Sequence, residues 1–246
     1  MSSYGCFTTV RLTPDGIRGW DEHLRRLVRD TAALFERPVT EGEVTAALRA
    51  AAADTADTGR PVLLRIAVTA RDHTVNRPGG TDLVVEVTGR PAYSELGPLR
   101  VVTVAHRRAL PEVKHLATTP ELLVRRRAQA AGYDDALFVS DGRVTEGPTW
   151  SLVARIGEEL VSPSGALPSV TVRLLARTHP IAVRPVAPDE LATATDAVAV
   201  NAGWGVRSIA AIDGAAFDGA AFDGAVAGDL AERLAAAHLR IRCDPV

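Results

Sequence analysis

Lysine is almost missing from this chain. Arginine supplies all but one of its 28 Lys+Arg residues, and Lys114 is the only lysine in 246 residues. A reaction that needs a side-chain amine therefore has one place to find it. Cysteine is nearly as scarce. Cys6 and Cys243 stand at opposite ends, with no Cys-x-x-Cys pair and no histidine cluster beside them. That usage predicts a reduced, cytoplasmic setting without a zinc site. Neither sign of charge dominates: the formal net charge is −2 and the pI about 6.3. A chain without a basic excess is not expected to take nucleic acid as its main partner. The run "RLVRD" and the triplet Arg125–Arg127 read as solvated helix faces. No apolar run approaches the ~20 residues that span a membrane. The start, "MSSYGCFTTV", lacks the basic and apolar regions of a signal peptide, so none is expected. A Walker loop, a Gly-x-Ser-x-Gly elbow and a His-Glu-x-x-His pair are all missing. "NAGWG" offers Gly203 and Gly205 but no third glycine for a dinucleotide fingerprint.

What is present suits one large core or two modest ones, with 46% hydrophobic residues. Residues 5–12, "GCFTTVRL", are rich in the residues of a strand. Trp20, Leu24, Leu27, Leu34 and Phe35 then recur at helical spacing, with Asp21 as a candidate start. Thr40 and Glu43 form a capping-box pattern before a second helix. "PVLLRIAVTA" and "TDLVVEVTGR" read as strands, completing an α/β unit over residues 1–92. Residues 93–97 suit a linker, and residues 98–246 form a second α/β unit. It opens on the strand "LRVVTVA". A helix over "TTPELLVRRRAQAAG" follows, with Thr119 at its start, Pro120 in its first turn and Gly132 past its end. Asp141-Gly142 marks a hairpin turn. "SLVARIGEELVSP" is a second hairpin, Ser169 begins a helix, and "PDELATAT" is a short one. "AVAV" and "VRSIAAID" are strands, and the last helix is "VAGDLAERLAAAHL". The repeated "DGAAF" reads as a duplicated surface loop, since its acidic spacing does not suit calcium.

Six segments, taken in order, carry a resemblance: "YGCFTTVRL", "HLRRL", "VKHL", "GYDDALFVSDGRVTEGPTWS", "LPSVTVRLL" and "VNAGWGVRSIAAIDG". Together they resemble the class IV, fold-type IV family of pyridoxal-phosphate enzymes, which includes branched-chain and D-amino acid aminotransferases and aminodeoxychorismate lyase. The resemblance implies two α/β domains, an N-terminal sandwich and a C-terminal pseudo-barrel that carries the cofactor lysine, with the cofactor between them and a homodimeric assembly. It makes Lys114 the Schiff-base lysine and proton carrier, for which an amine is chemically required. Glu146 falls where the family has the carboxylate that keeps the pyridine nitrogen protonated. Arg26, rather than its neighbour Arg25, matches the phosphate-binding arginine. Val170 and Thr171 match main-chain phosphate donors at a helix start, and Asn201 with Ala202 a further phosphate contact. The basic loop His106, Arg107 and Arg108 is a candidate for the substrate carboxylate. Departures from the family pattern are Trp150-Ser151 after the glutamate, Ser169 in place of a glycine, and Val172 in place of an arginine.

The implied activity is transfer of an amino group between an amino acid and a 2-oxo acid. "GCFTT" and "KHL" resemble the lyase version, making release of pyruvate from aminodeoxychorismate the alternative. A non-catalytic cofactor-binding or assembly protein is a third reading, against which Lys114 and Glu146 both speak.

Overall fold

The computed structural model describes residues 3–55, 60–93, 96–216 and 229–245. The chain divides into two compact units: residues 1–94, 113–118 and 241–246, and residues 95–112 with 119–240.

In the first unit, β1 (Cys6–Thr13) pairs antiparallel with β2 (Gly16–Arg18) and β3 (Val62–Ala70). β4 (Leu83–Pro91) extends the sheet beyond β3, and β14 (Cys243–Asp244) closes its other edge against β2. Side chains alternate across a strand, so Cys6, Thr8 and Val10 turn to one face of β1 and Phe7, Thr9 and Arg11 to the other. The first face meets α1 (Trp20–Leu34) and α2 (Glu41–Thr55). Leu24, Leu27, Val44 and Leu48 pack there with Val10, Leu64, Ile66 and Val68.

α1 begins at Gly19 in the left-handed region (φ 66°) instead of at Asp21. The Gly19 carbonyl accepts the Glu22 and His23 N–H groups, and the Asp244 carboxylate accepts the Trp20 N–H at 2.9 Å. The capping box of α2 forms as expected: the Glu43 carboxylate accepts the Thr40 N–H, and Thr40 Oγ1 accepts the Glu43 N–H. Residues 113–118 form a strap along β1. The Phe7 N–H donates to the Lys114 carbonyl at 2.9 Å, and the Leu116 N–H to the Gly5 carbonyl at 2.8 Å.

The second unit is one curled sheet of mixed direction. From one edge it runs through β10 (Ile181–Arg184), β9 (Glu159–Pro163), β8 (Ser151–Ile156), β11 (Asp196–Asn201) and β12 (Gly205–Ile212). It continues through β5 (Leu99–Ala105) and β6 (Asp135–Ser140) to β7 (Arg143–Val144) at the other edge. Val144 also bridges Val186, just beyond β10, with an N–H to carbonyl distance of 2.9 Å. The two edges of the sheet therefore approach each other, as a pseudo-barrel requires. Alternation divides the core accordingly. Leu152, Ala154, Ala197 and Ala199 pack with Leu137, Val144 and Val186 inside the curl. Val153, Val198 and Val200 face outward, under α4 (Val170–Leu175) and α6 (Asp229–Arg240). α3 (Thr119–Ala130) covers β6 through Val124, Ala128 and Phe138, and α5 (Pro188–Leu191) precedes β11.

Asp141 and Gly142, at φ 51° and 70°, make the expected tight hairpin turn. Asp213 and Gly214 make another (φ 52° and 82°), so the first DGAAF copy opens a hairpin into β13 (Ala215–Ala216) instead of a loop. Residues 217–225 of that repeat and 226–228 of the expected last helix lie outside the described residues, as do 94 and 95 of the linker. The short strands β2, β7, β10, β13 and β14 have too few residues to show a period.

Candidate active site

In the first unit, α1 turns polar residues inward. His23, Arg26 and Asp30 are buried along with Leu24 and Leu27. "RLVRD" is therefore only in part a solvated face: the spacing 23, 26, 30 puts Arg26 and Asp30 on the helix stripe that meets the sheet, while Arg29 is exposed. Thr8 Oγ1 lies 2.7 Å from His23 Nδ1. Burial, followed by the positive charges of Arg26 and Lys114, lowers the His23 pKa to about 3, so the ring is neutral at pH 7.

Lys114 is half-buried and held by its backbone on both sides. Its carbonyl accepts from Phe7, and its N–H donates to Asp30 Oδ2 at 2.9 Å. Its Nζ lies 4.7 Å from the centroid of the Phe7 ring. Arg65 on β3 stacks on the same ring, its Cζ 4.0 Å from the centroid. Burial lowers the Arg65 pKa, and among the described residues no carboxylate lies within ion-pair distance of it. Sequence reasoning missed Arg65, although it is the lone charge in "PVLLRIAVTA".

In the second unit, Glu146 lies just beyond β7 and bridges Ser151 at the start of β8. Arg108 Nε donates to Glu146 Oε1 at 2.7 Å, and the Leu167 N–H reaches the same oxygen at 3.3 Å. Among the described residues no hydrogen bond falls on Oε2. Arg108 also donates to the Pro148 carbonyl and lies 3.6 Å from Glu121, which is itself 3.7 Å from His106. The basic loop thus splits. Arg108 is buried in this cluster, while Arg107 is exposed and 3.4 Å from Asp141.

Trp150, the departure after the glutamate, donates from Nε1 to Asp135 at 2.8 Å, and Arg125 grips the same carboxylate. Arg125 is therefore not part of a solvated face. Gly147 makes room for that indole: a Cβ built there would lie 2.0 Å from it.

Ser169 caps α4, its Oγ accepting the Val172 N–H, with Val170 and Thr171 buried in the first turn. Asn201 Oδ1 accepts the Gly203 and Trp204 N–H groups, and its Nδ2 donates to the Thr149 carbonyl. That side chain closes a turn next to Ala202.

These two sets of residues fit pyridoxal phosphate. The first unit holds Arg26 and Lys114 near a histidine kept neutral by burial and then by their charges, and Arg65 on the ring that Lys114 also contacts, a cationic setting that suits an anion. The second offers a carboxylate with one oxygen held and the other uncommitted.

The sequence profile of the amino-transferase class IV family matches residues 5–212. The chain belongs to that family, and it is a pyridoxal-phosphate-dependent enzyme acting on amino acid and 2-oxo acid substrates. Its fold is similar to that of the fold IV-transaminase CpuTA1 from Curtobacterium pusillum. The TM-score is 0.81 at 23% identity, over 97% of this chain and 87% of that one. A hypothetical aminotransferase from Mycobacterium tuberculosis, in its PLP-bound form, gives a TM-score of 0.81 at 19% identity, over 98% and 89%. A putative 4-amino-4-deoxychorismate lyase from Legionella pneumophila gives 0.74 at 20%, over 87% and 85%. No curated protein sequence matches the chain. Among the described residues no helix is long and apolar enough to cross a membrane.

Proposed function

We propose that Arg26 and Lys114 of the first unit and Glu146, Val170 and Thr171 of the second serve one pyridoxal phosphate, and that the chain runs a transamination there. When bound, the cofactor supplies an aldehyde that takes up amino groups and a ring that withdraws electrons. Lys114 Nζ would hold that aldehyde, and as a free amine it would accept a proton from the substrate α-carbon and return it. The Arg26 guanidinium would hold the phosphate, and the backbone N–H groups of Val170 and Thr171 would add donors. The backbone at Asn201 and Ala202 is placed in the same role, since the Asn201 side chain is already used in its turn. Glu146, its Oε1 fixed by Arg108, would hold the ring nitrogen and favour its protonated form. Arg65 takes over the carboxylate-binding role first assigned to Arg107 and Arg108. It shares the Phe7 ring with Lys114, whereas Arg108 is occupied by Glu146.

The observation that carries this reading is Lys114 itself. The chain's one side-chain amine is fixed by backbone bonds on both sides and lies on the same aromatic ring as an arginine without a carboxylate partner among the described residues. Borohydride reduction of the loaded protein, followed by peptide mapping, is expected to place one pyridoxyl group on Lys114. Lys114→Ala is expected to retain the cofactor through phosphate contacts and to lose nearly all turnover. An active parent without that label, or a fully active Ala variant, would overturn the assignment.

The lyase reading rests on "GCFTT" and "KHL". Pyruvate release from aminodeoxychorismate, without a 2-oxo acid acceptor, would select it over transamination. A homodimer in the cytoplasm completes the proposal. Sedimentation as a monomer at micromolar concentration would count against the dimer.

A further inference from the structure

Asp30 has no part in the roles assigned so far, yet its position is costly. It is fully buried, and an ionised carboxylate away from water is unfavourable unless it is paired and hydrogen-bonded. Both its oxygens are used. Arg29 donates to Oδ1 from Nε at 2.9 Å and from Nη2 at 2.6 Å. Oδ2 accepts the backbone N–H of Lys114, 84 positions away in sequence, at 2.9 Å. The arginine thus occupies one oxygen and leaves the other facing the strap.

Arg26 and Asp30 lie four residues apart on α1, an axial rise of about 6 Å on the same stripe of the helix. One rigid element therefore carries both the proposed phosphate ligand and the group that grips the lysine backbone. The Phe7 N–H holds the other side of the same residue through the Lys114 carbonyl. With its N–H and carbonyl both tied, Lys114 retains only its side-chain torsions.

We infer that Asp30 is a positioning residue for Lys114. Through the Lys114 N–H, it fixes the starting point of the amine relative to Arg26, so that α1 sets the span between the phosphate and aldehyde ends of the ligand. The inference rests on the reading of Lys114 as the cofactor lysine. A serine at this position would also accept the N–H but would not reach Arg29 as well, whereas the carboxylate gives one oxygen to each partner.

The single lysine makes the test direct. Protein grown on 15N-lysine gives one lysine backbone amide signal, and its hydrogen exchange can be followed without cofactor. In the parent, the Lys114 amide is expected to be protected. Asp30→Ala is expected to speed its exchange by about ten- to a hundredfold, the effect of losing one hydrogen bond to a charged group. Asp30→Asn retains an acceptor and is expected to keep most of the protection. The second readout is the rate at which added pyridoxal phosphate becomes trapped on Lys114 by borohydride. It should fall about tenfold in Asp30→Ala, the lower end of that range, and recover in Asp30→Asn. A purely structural role would lower the melting temperature without slowing capture in the folded protein.

Parent-like exchange and capture in folded Asp30→Ala, with the parent labelled normally, would overturn the inference alone. If Asp30→Ala does not fold, the parent still decides, because a Lys114 amide exchanging at an unstructured rate overturns the positioning role. A parent that never acquires label on Lys114 would instead overturn the cofactor assignment, and this inference with it.

Discussion

Asp30 and Glu146 are both buried carboxylates, one in each unit, and both are paired with arginine. Their partners differ. Arg29, beside Asp30, is 41% exposed, whereas Arg108, beside Glu146, is 5% exposed. Asp30 is thus anchored by a cation that water still reaches, and it spends its second oxygen on the chain's own backbone. Glu146 lies with its cation in a cluster that includes Glu121 and His106, and its second oxygen carries no bond from the described residues. The contrast separates a carboxylate with both oxygens bonded from one with an oxygen left open among the described residues, as the proposed ligand role requires. Desolvation makes the second arrangement more fragile, because a deeply buried charge depends wholly on its partner.

The largest effect is therefore expected from Arg108→Met. It leaves Glu146 uncompensated and should cost about 3–5 kcal/mol of unfolding free energy, measurable by urea denaturation without cofactor. Arg108→Met combined with Glu146→Gln should recover part of that loss, since the two residues are in direct contact. A loss below about 1 kcal/mol, the value for an exposed pair, would mean that water reaches this cluster.

His23 gives a pH-dependent effect of intermediate size. Its folded pKa of about 3 lies below the usual histidine value, so the unfolded chain binds more protons between about pH 6.5 and pH 3. The stability from keeping the ring neutral is complete above about pH 6.5 and is lost as pH falls toward 3. Between pH 7 and pH 4 the parent should lose about 3 kcal/mol more than His23→Asn, read from unfolding midpoints across that range. Parallel profiles would show that the ring is protonated in the fold.

Arg29→Met should do less. Water can replace a half-exposed guanidinium, so a loss of about 1 kcal/mol is expected, against the larger cost at Arg108. Equal losses at the two arginines would erase the distinction between the carboxylates.

Much of this architecture is legible in the chain. The long strands and helices carry their period, and the turns at Gly132 and Asp141-Gly142 carry their residues. The roles proposed for Lys114, Glu146 and Arg26 rest on ordered motifs, not on spacing alone. What stayed hidden depends on long-range contact. "RLVRD" has the composition of a solvated helix face, and only packing on β1 and the strap at 113–118 shows that Arg26 and Asp30 point inward. Arg107 and Arg108 are identical in sequence terms, yet one is exposed and the other sits on Glu146, 38 residues away. Arg65 looks like one charge in an apolar strand until β1 brings Phe7 beneath it. Trp150 reads as a disruption of the motif until Gly147 and Asp135 receive it.

The smallest expected effect tests the reading of α1 most sharply. Arg25 and Arg26 are adjacent, but one step along a helix turns a side chain by about 100°. Arg25 is 60% exposed and pairs with Asp21 and Glu22 on its own helix, while Arg26 is buried on the stripe shared with His23 and Asp30. An exposed pair of this kind contributes about 0–1 kcal/mol, so Arg25→Leu should leave both stability and cofactor affinity nearly unchanged. Arg26→Leu should weaken cofactor binding by about 1.5–3 kcal/mol, the range for a hydrogen bond to a charged group. A fluorescence titration of pyridoxal phosphate into each variant gives the comparison. If the two variants bind alike, Arg26 is not the phosphate ligand, and the charge around His23 serves the fold alone. If only Arg26→Leu weakens binding, the inward stripe of α1 is the ligand-holding face, and Arg25 is the solvated neighbour its exposure describes.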